Sequence, residues 1–338
     1  MTSQALEQRL ASVRWYHRFE ILPGVMTPGS VIFDPAALLD SAGIARDLTG
    51  TKAIDIGTFD GPMAFELERR GADVIALDIL DPGQSAFNVA REIVGSRVNY
   101  VQGSVYDLTR LCKERFDLIC FLGVFYHLTD PVRAFQQIGE VMAEEGRLFF
   151  EGECLRSYAE TLSGSGVRDE LVRQIADSEI PLALCCPGEY KHSPNWFIPN
   201  FACLRGWLRV ARLEVIAHWF SEVDYDPPHQ RVTGLAVKRR PSATITGVRR
   251  IGRTLAVTGT GFSARTVVNF FYRRDGRELN AGGLAPDGSL RMAVRIEDDR
   301  RLCFELPAAI DSGEVAVEVA NPPYDANERA IWKFQFVP

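Results

Sequence analysis

Between residues 52 and 151 the chain repeats one pattern, and that pattern limits its fold more than any other feature. The short apolar runs Lys52–Ile56, Asp73–Leu77, Val98–Val101, Phe116–Phe121 and Arg147–Phe150 are separated by amphipathic stretches. Strand-length runs alternating with helical stretches specify an α/β fold, a parallel sheet with helices over its faces. Between the first two runs, GPMAFELERRG places Pro62 at the first helical position and Gly71 at the stop. Phe65 and Leu67 in that stretch are expected to face the sheet.

A chain of 338 residues exceeds one compact core, so two domains are expected. Residues 1–50 read as a cap: a helix over 3–20 that ends in the aromatic cluster Trp15, Tyr16, His17 and Phe19, then the turn-rich ILPGVMTPGS. Residues 51–240 carry the sheet, with an insertion at about 152–200 expected to build a substrate pocket. That insertion holds a predicted helix at 168–177 and the loop CCPGEYKHSPNWFIPN. A helix over 200–211 and strands at Leu213–Trp219 and Arg231–Val237 follow. The style changes at Pro241, where TITGVRRIGRTLAVTGTGF, VVNFFYR, MAVRI, LCFELP and EVAVEVANP read as short alternating strands. Residues 241–338 are therefore expected to form a small all-β sandwich.

Composition enters as a set of exclusions. With 46% hydrophobic residues the chain is not of the disordered class, and its net charge of −6 disfavours a nucleic-acid partner. Arginine doublets at 239–240, 249–250, 273–274 and 300–301 are scattered rather than clustered. The opening MTSQALEQRL lacks a basic segment followed by an apolar core, and no apolar run approaches the ~20 residues of a membrane span, so a cytoplasmic address without a membrane partner is expected. Seven cysteines form no CxxC pair and are read as reduced thiols; no metal is expected.

The stretch AIDIGTFDG at 53–61 runs from a strand through a glycine turn into a helix, which lets backbone approach a ligand. Asp78 stands 21 residues after Gly57, where a carboxylate accepts two hydrogen bonds from ribose hydroxyls. Phe59 occupies the position of the middle glycine of the dinucleotide fingerprint, so a nucleoside without phosphates suits this turn better than a pyrophosphate. Asp107 is placed to accept from an adenine amino group, with Val105 or Ile79 flanking the ring. In the alternative reading, Asp55 and Asp78 merely cap turns. The segment GVFYHL puts Tyr126 and His127 at the carboxyl edge of the sheet. His127 is a candidate general base or a residue that closes the pocket; His17 and His192 compete for the base role. Glu151 and Glu153, just past the fifth strand, either bind an acceptor hydroxyl or solvate the edge.

The stretches WYHRFEILPGVMTPG, DIGTFDGPMAFELERRGADVIALD, FDLICFLGVFYHLTDPVRAF and NWFIPNFACLRGWLRVARLEVI resemble the class I S-adenosylmethionine-dependent methyltransferases, and more narrowly the tRNA uridine-34 5-oxyacetic-acid methyltransferases. That resemblance implies a Rossmann-like seven-stranded sheet whose last strand is antiparallel. It implies S-adenosyl-L-methionine as cofactor, released as S-adenosyl-L-homocysteine, with Asp78 on the ribose and Gly57 beside the methionine portion. The full cofactor shell expected is Asp55, Gly57, Phe59, Gly61, Asp78, Ile79, Ser104, Val105, Leu122 and Gly123. One branch of the family uses a carboxylated cofactor held by a lysine, a tyrosine and an arginine. Tyr126 and Arg231 match two of these, but WYHRFEI lacks the lysine, so the ordinary cofactor is favoured. The stretch ITGVRRIGRTLAVTGTGFSARTVVNF resembles IPT/TIG immunoglobulin-like domains.

Fold and cofactor do not choose the acceptor. Trp15, Tyr126 and Trp196 are expected to enclose a pocket, with Glu151 and Arg231 also facing substrate. These residues favour O-methylation of a hydroxyl or carboxyl on a small metabolite or glycan. Modification of a tRNA wobble uridine, and a non-catalytic binding protein with a retained cofactor fold, are the other readings. The β domain is expected to mediate homo-oligomer formation or frame the pocket entrance.

Overall fold

The computed structural model describes residues 2–155, 174–185, 195–223, 229–239, 243–263, 266–274, 277–279, 294–306, 313–320 and 330–336. The chain divides into two units, residues 1–239 and 240–338.

The first unit opens with helix α1 (Ser3–Ala11), whose N-terminus is capped by the Thr2 hydroxyl. The expected helix over 3–20 ends nine residues early, for a reason no local signal carries. The N–H groups of Tyr16 and His17 donate to the Asp60 carboxylate, each at 2.9 Å, rather than to a helical carbonyl. The chain instead forms four short strands: β1 (His17–Arg18), β2 (Glu20–Leu22), β3 (Val25–Met26) and β4 (Val31–Ile32). β1 pairs in parallel with β4, and β2 pairs with β3 around Gly24. Helix α2 (Pro35–Ser41) follows, capped by Asp34.

The main sheet comprises β5 (Lys52–Ile56), β6 (Asp73–Asp78), β7 (Asn99–Gln102), β8 (Phe116–Leu122) and β9 (Met142–Glu153), all parallel. Helices α3 (Pro62–Arg69), α4 (Phe87–Val94), α5 (Leu108–Leu111) and α6 (Pro131–Val141) connect them. β9 extends well beyond the expected Arg147–Phe150, so Glu151 and Glu153 lie in the strand and not past it. Two short strands, β10 (Ala183–Cys185) and β11 (Phe197–Pro199), pair antiparallel across what the sequence presents as one loop. Of the helix expected at 168–177, residues 174–176 are helical and 168–173 lie outside the described residues. Helix α7 (Phe201–Val210) and strands β12 (Leu213–Val223) and β13 (His229–Lys238) complete the unit. The strand order is β12-β13-β9-β8-β5-β6-β7, with β13 antiparallel to both of its neighbours. The result is the Rossmann-like topology: a crossover-connected parallel sheet closed by one reversed strand.

Strand alternation assigns the two faces. Ile54, Ile56, Phe121 and Phe150 join Phe125, Phe135 and Ile138 in one core. Ala53, Leu118, Cys120 and Phe149 join Leu67, Phe87 and the cap residues Trp15 and Phe19 in the other. α2 is tied to α3 through Arg70, which is 5% exposed. Its guanidinium donates to Glu66 (2.8 Å), Asp40 (2.9 Å) and the carbonyl oxygen of Ala36 (3.0 Å). Burial raises the Glu66 carboxyl pKa, yet the Arg69 and Arg70 hydrogen bonds outweigh it and hold Glu66 below its ordinary value. Arg70→Met leaves Glu66 to Arg69 alone and removes the bonds to Asp40 and the Ala36 carbonyl; it is expected to cost about 1–3 kcal/mol, read from the urea denaturation midpoint of the full chain.

In the second unit, β14 (Thr244–Ile251), β15 (Thr254–Thr260), β16 (Val267–Arg274), β17 (Arg277–Leu279), β18 (Val294–Asp298), β19 (Arg301–Glu305), β20 (Gly313–Ala320) and β21 (Ala330–Phe336) make two four-stranded sheets. The orders are β14-β15-β19-β18 and β17-β16-β20-β21. Leu255, Val257, Leu302 and Phe304 from one sheet share a core with Val268, Phe270, Val315 and Val317 from the other. Among the described residues this unit contains no helix.

Candidate active site

The turn after β5 needs unusual backbone. Gly57 (φ 81°) and Gly61 (φ 90°) adopt the left-handed conformation, and a side chain on Gly57 would collide with Val124. Phe59 (φ 47°) also enters that region, at a cost a non-glycine residue rarely bears. Its N–H donates to Asp78 Oδ2 at 2.9 Å, which holds it there. The Phe59 ring packs at 5.3 Å from Tyr16 and 6.2 Å from His17, so its bulk forms the seam between turn and cap.

Asp78 ends β6 and is 7% exposed. Besides Phe59, it accepts from the Leu80 N–H at 3.0 Å through Oδ1. Both oxygens therefore brace the turn, and each keeps a second lone pair for a donor from outside. The two readings of Asp78, turn cap and ribose ligand, are thus compatible at one carboxylate. Ile79 beside it is 68% exposed, an apolar surface without cover, whereas Val105 is buried in the core and does not present a face. Ser104 spends its hydroxyl on the Tyr106 N–H at 3.2 Å, and Asp107 lies 3.6 Å from Arg110.

Asp55 has a different part from the one expected of it. It is 3% exposed beneath the turn, and burial pushes its pKa up to about 7. The Thr58 hydroxyl pulls the other way, by more than the Asp78 charge adds, and the Ala64 N–H pulls down less; burial outweighs them. Asp55 is therefore a buried support of the turn. Its unfolded-state pKa lies near the ordinary 3.8, so it opposes folding increasingly as pH rises from about 4 to about 7. Asp55→Asn, which cannot ionise, is expected to gain stability relative to wild type between pH 5 and pH 7.5, by a few kcal/mol in order of magnitude, measured by denaturation at both values.

At the ends of β8 and β9 the structure brings Gly123, Tyr126, His127, Glu151, Glu153, Trp196 and Arg231 together. Gly123 (φ 72°) donates its N–H to the Glu151 carbonyl at 2.9 Å. Tyr126 is 7% exposed; its carbonyl accepts from the Trp196 N–H at 2.8 Å, which ties the insertion to this corner. His127 is half-buried, its ring 4.2 Å from that of Tyr126. Arg231 on β13 forms an ion pair with Glu151, and donates to Glu153 at 3.0 Å and to the Tyr126 hydroxyl at 3.0 Å. Its guanidinium is consumed by these partners, so Arg231 is not placed to hold a substrate or cofactor carboxylate. Burial pushes the Tyr126 phenol up to about 12, with the Arg231 charge pulling down by less.

Two other expectations change. Trp15 lies in the core, 6% exposed, with its indole N–H on the Leu10 carbonyl at 2.7 Å, and lines no pocket. His17 sits in the cap, its Nδ1 3.4 Å from Asp60 Oδ2, so a carboxylate orients it against the turn and not at the His127 corner. His192 lies outside the described residues. The residue that sequence reasoning missed is Asp60, fully buried and bonded to Tyr16, His17 and Ala86. Burial raises its pKa, but the His17 imidazole and the His17 and Tyr16 N–H groups outweigh that and hold it low. Its presence in TFDG was visible, but its partners lie 43 and 44 residues upstream.

Among the described residues no group of His, Cys, Asp and Glu could hold a metal ion, and no helix is long and apolar enough to cross a membrane. Residues 54–150 match the family model described as a methyltransferase domain. A ubiquinone biosynthesis O-methyltransferase of Aliivibrio fischeri is 27% identical over 126 residues, 36% of this chain and 53% of that protein. A protein of the same description from Pectobacterium carotovorum is 33% identical over 107 residues, 31% of this chain and 44% of its own. The chain thus spans about half the length of the curated relatives it matches. Among solved structures, the N-terminal domain of EvdMO1 with SAH bound aligns at 18% identity and TM-score 0.48, over 71% of this chain and 97% of that one. An S-adenosylmethionine-dependent methyltransferase from Clostridium acetobutylicum aligns at 10% identity and TM-score 0.41, over 60% and 88%.

Proposed function

We propose that this chain is an S-adenosylmethionine-dependent methyltransferase that acts on a hydroxyl of a small metabolite or glycan. The observation that carries the reading is the alignment of the Gly57 turn, the Asp78 carboxylate and the Tyr126–His127 corner along the carboxyl ends of β5, β6 and β8. In open α/β sheets that edge is where ligands bind. The residues fit an adenosine without phosphates: Asp78 offers free lone pairs to a ribose diol, and exposed Ile79 offers a surface to a base. Phe59 stands where the dinucleotide fingerprint has its middle glycine, which suits a cofactor without a pyrophosphate.

The cofactor supplies an electrophilic methyl group on a sulfonium. The chain must align the acceptor oxygen in line with the S–CH3 bond and take up its proton. His127 is the group assigned to that proton. Tyr126, whose pKa is raised and whose oxygen is bonded to Arg231, stays a neutral phenol and shapes the pocket floor. Two carboxylates around one guanidinium favour a hydroxyl acceptor over a carboxylate, and a small molecule over a polyanion such as tRNA. The β unit, similar in its opening strands to IPT/TIG domains, is assigned to self-association.

The test is methyl transfer from labelled S-adenosylmethionine to a metabolite extract. Label on a metabolite hydroxyl is the expected product. Label on tRNA alone would replace the acceptor assignment, and cofactor binding without any transfer would return the chain to the class of binding proteins.

A further inference from the structure

The acidic cluster at the end of β9 has more charge than its internal pairing uses. Ile56 pairs with Phe121, Phe121 with Phe150, and Leu122 with Glu151, so Gly57, Leu122 and Glu151 stand level on three neighbouring strands. Two strand spacings, roughly 10 Å, separate the glycine turn from Glu151. Glu153 lies two residues on, on the same face, directly opposite Arg231. One guanidinium faces two carboxylates there. Glu151 uses both oxygens on Arg231, whereas Glu153 uses only Oε1 and its Oε2 is buried without a hydrogen-bond partner. A buried carboxylate oxygen without a partner is costly unless a positive charge or a donor comes to it.

Resting on the cofactor reading above, we infer that Glu153 sets a preference of this site for the sulfonium of S-adenosylmethionine over the neutral thioether of S-adenosylhomocysteine. The surplus negative charge stabilises the positively charged donor. In the transfer, the acceptor oxygen forms a bond to the methyl carbon, the C–S bond breaks and its electron pair stays on sulfur. The proton leaves the acceptor for the base. The positive charge on sulfur disappears with that step, so the attraction of Glu153 for the donor has no counterpart for the product.

Isothermal titration of the full chain with each compound measures the effect. The wild-type chain should bind S-adenosylmethionine more tightly than S-adenosylhomocysteine. Glu153→Gln keeps an acceptor for Arg231 but removes the charge, and should reduce that preference about fourfold, within a range of roughly 2 to 10 for one charge about 12 Å from the glycine turn, two residues beyond Glu151. S-adenosylhomocysteine affinity should move by less than about twofold in the same variant. Glu153→Asp, which keeps the charge, should retain the wild-type preference. A wild-type chain that binds the thioether more tightly, or a Glu153→Gln preference equal to wild type, overturns the inference while leaving the cofactor reading intact. Failure of the wild-type chain to bind either compound overturns both. Should Glu153→Gln not fold, the wild-type preference and the Glu153→Asp comparison still decide.

Discussion

Asp78→Ala is expected to abolish measurable binding of S-adenosylmethionine, with a loss of about 100-fold or more in titration. Two losses combine. The ribose diol loses an acceptor that makes two charge-assisted hydrogen bonds, each worth about 1.5–3 kcal/mol. The turn also loses the carboxylate that receives the Phe59 and Leu80 N–H groups, and Phe59 sits in a backbone region it occupies only because something holds it. Asp78→Asn separates the parts only incompletely, because an amide nitrogen would face an N–H donor on one side. The thermal midpoint supplies the control: a folded Asp78→Ala protein, a few degrees less stable, without cofactor affinity is the expected pair of results. Wild-type affinity in that variant would remove Asp78 from the site and with it the nucleoside reading.

His127→Ala should leave cofactor binding within about twofold of wild type and reduce turnover about 100-fold or more. The ring is half-buried beside Tyr126, at the end of β8 and close to the Gly57 turn through Val124. Tyr126 cannot take over, because its phenol is held neutral near pH 7 by burial. His17 cannot either, since Asp60 fixes it against the cap. The pH profile distinguishes a base from a wall of the pocket: loss of a base removes the limb of the profile near neutrality, whereas loss of packing lowers the rate at every pH. Unchanged turnover discards the base role for His127.

The sheet was legible because its signal is local. Lys52–Ile56 occupies the expected bounds, and the other runs become strands within a residue or several; β9 departs most from its expected bounds, because AEEG lacks the apolar alternation by which a sequence marks a strand. The turn at Gly57 was legible because glycine is needed wherever φ must be positive. The helix expected over 3–20 stops at Ala11, because nothing in the sequence near Tyr16 announces that its N–H belongs to Asp60. Trp15 carries no mark in the sequence that tells core from pocket lining; the packing against Phe19 and the bond to the Leu10 carbonyl decide it.

The α/β alternation, the glycine turn and the acid at the end of the second sheet strand can be read from the residue order. These follow from period and backbone sterics over a few residues. The tertiary structure alone decided which charges are spent. Arg231 reaches Glu151 from 80 residues away and Tyr126 from 105, and Asp60 reaches back 44 residues to Tyr16. Whether a charged side chain is a ligand or is already neutralised depends on what the fold sets beside it at hydrogen-bond distance, and strand pairing fixes that where sequence spacing does not.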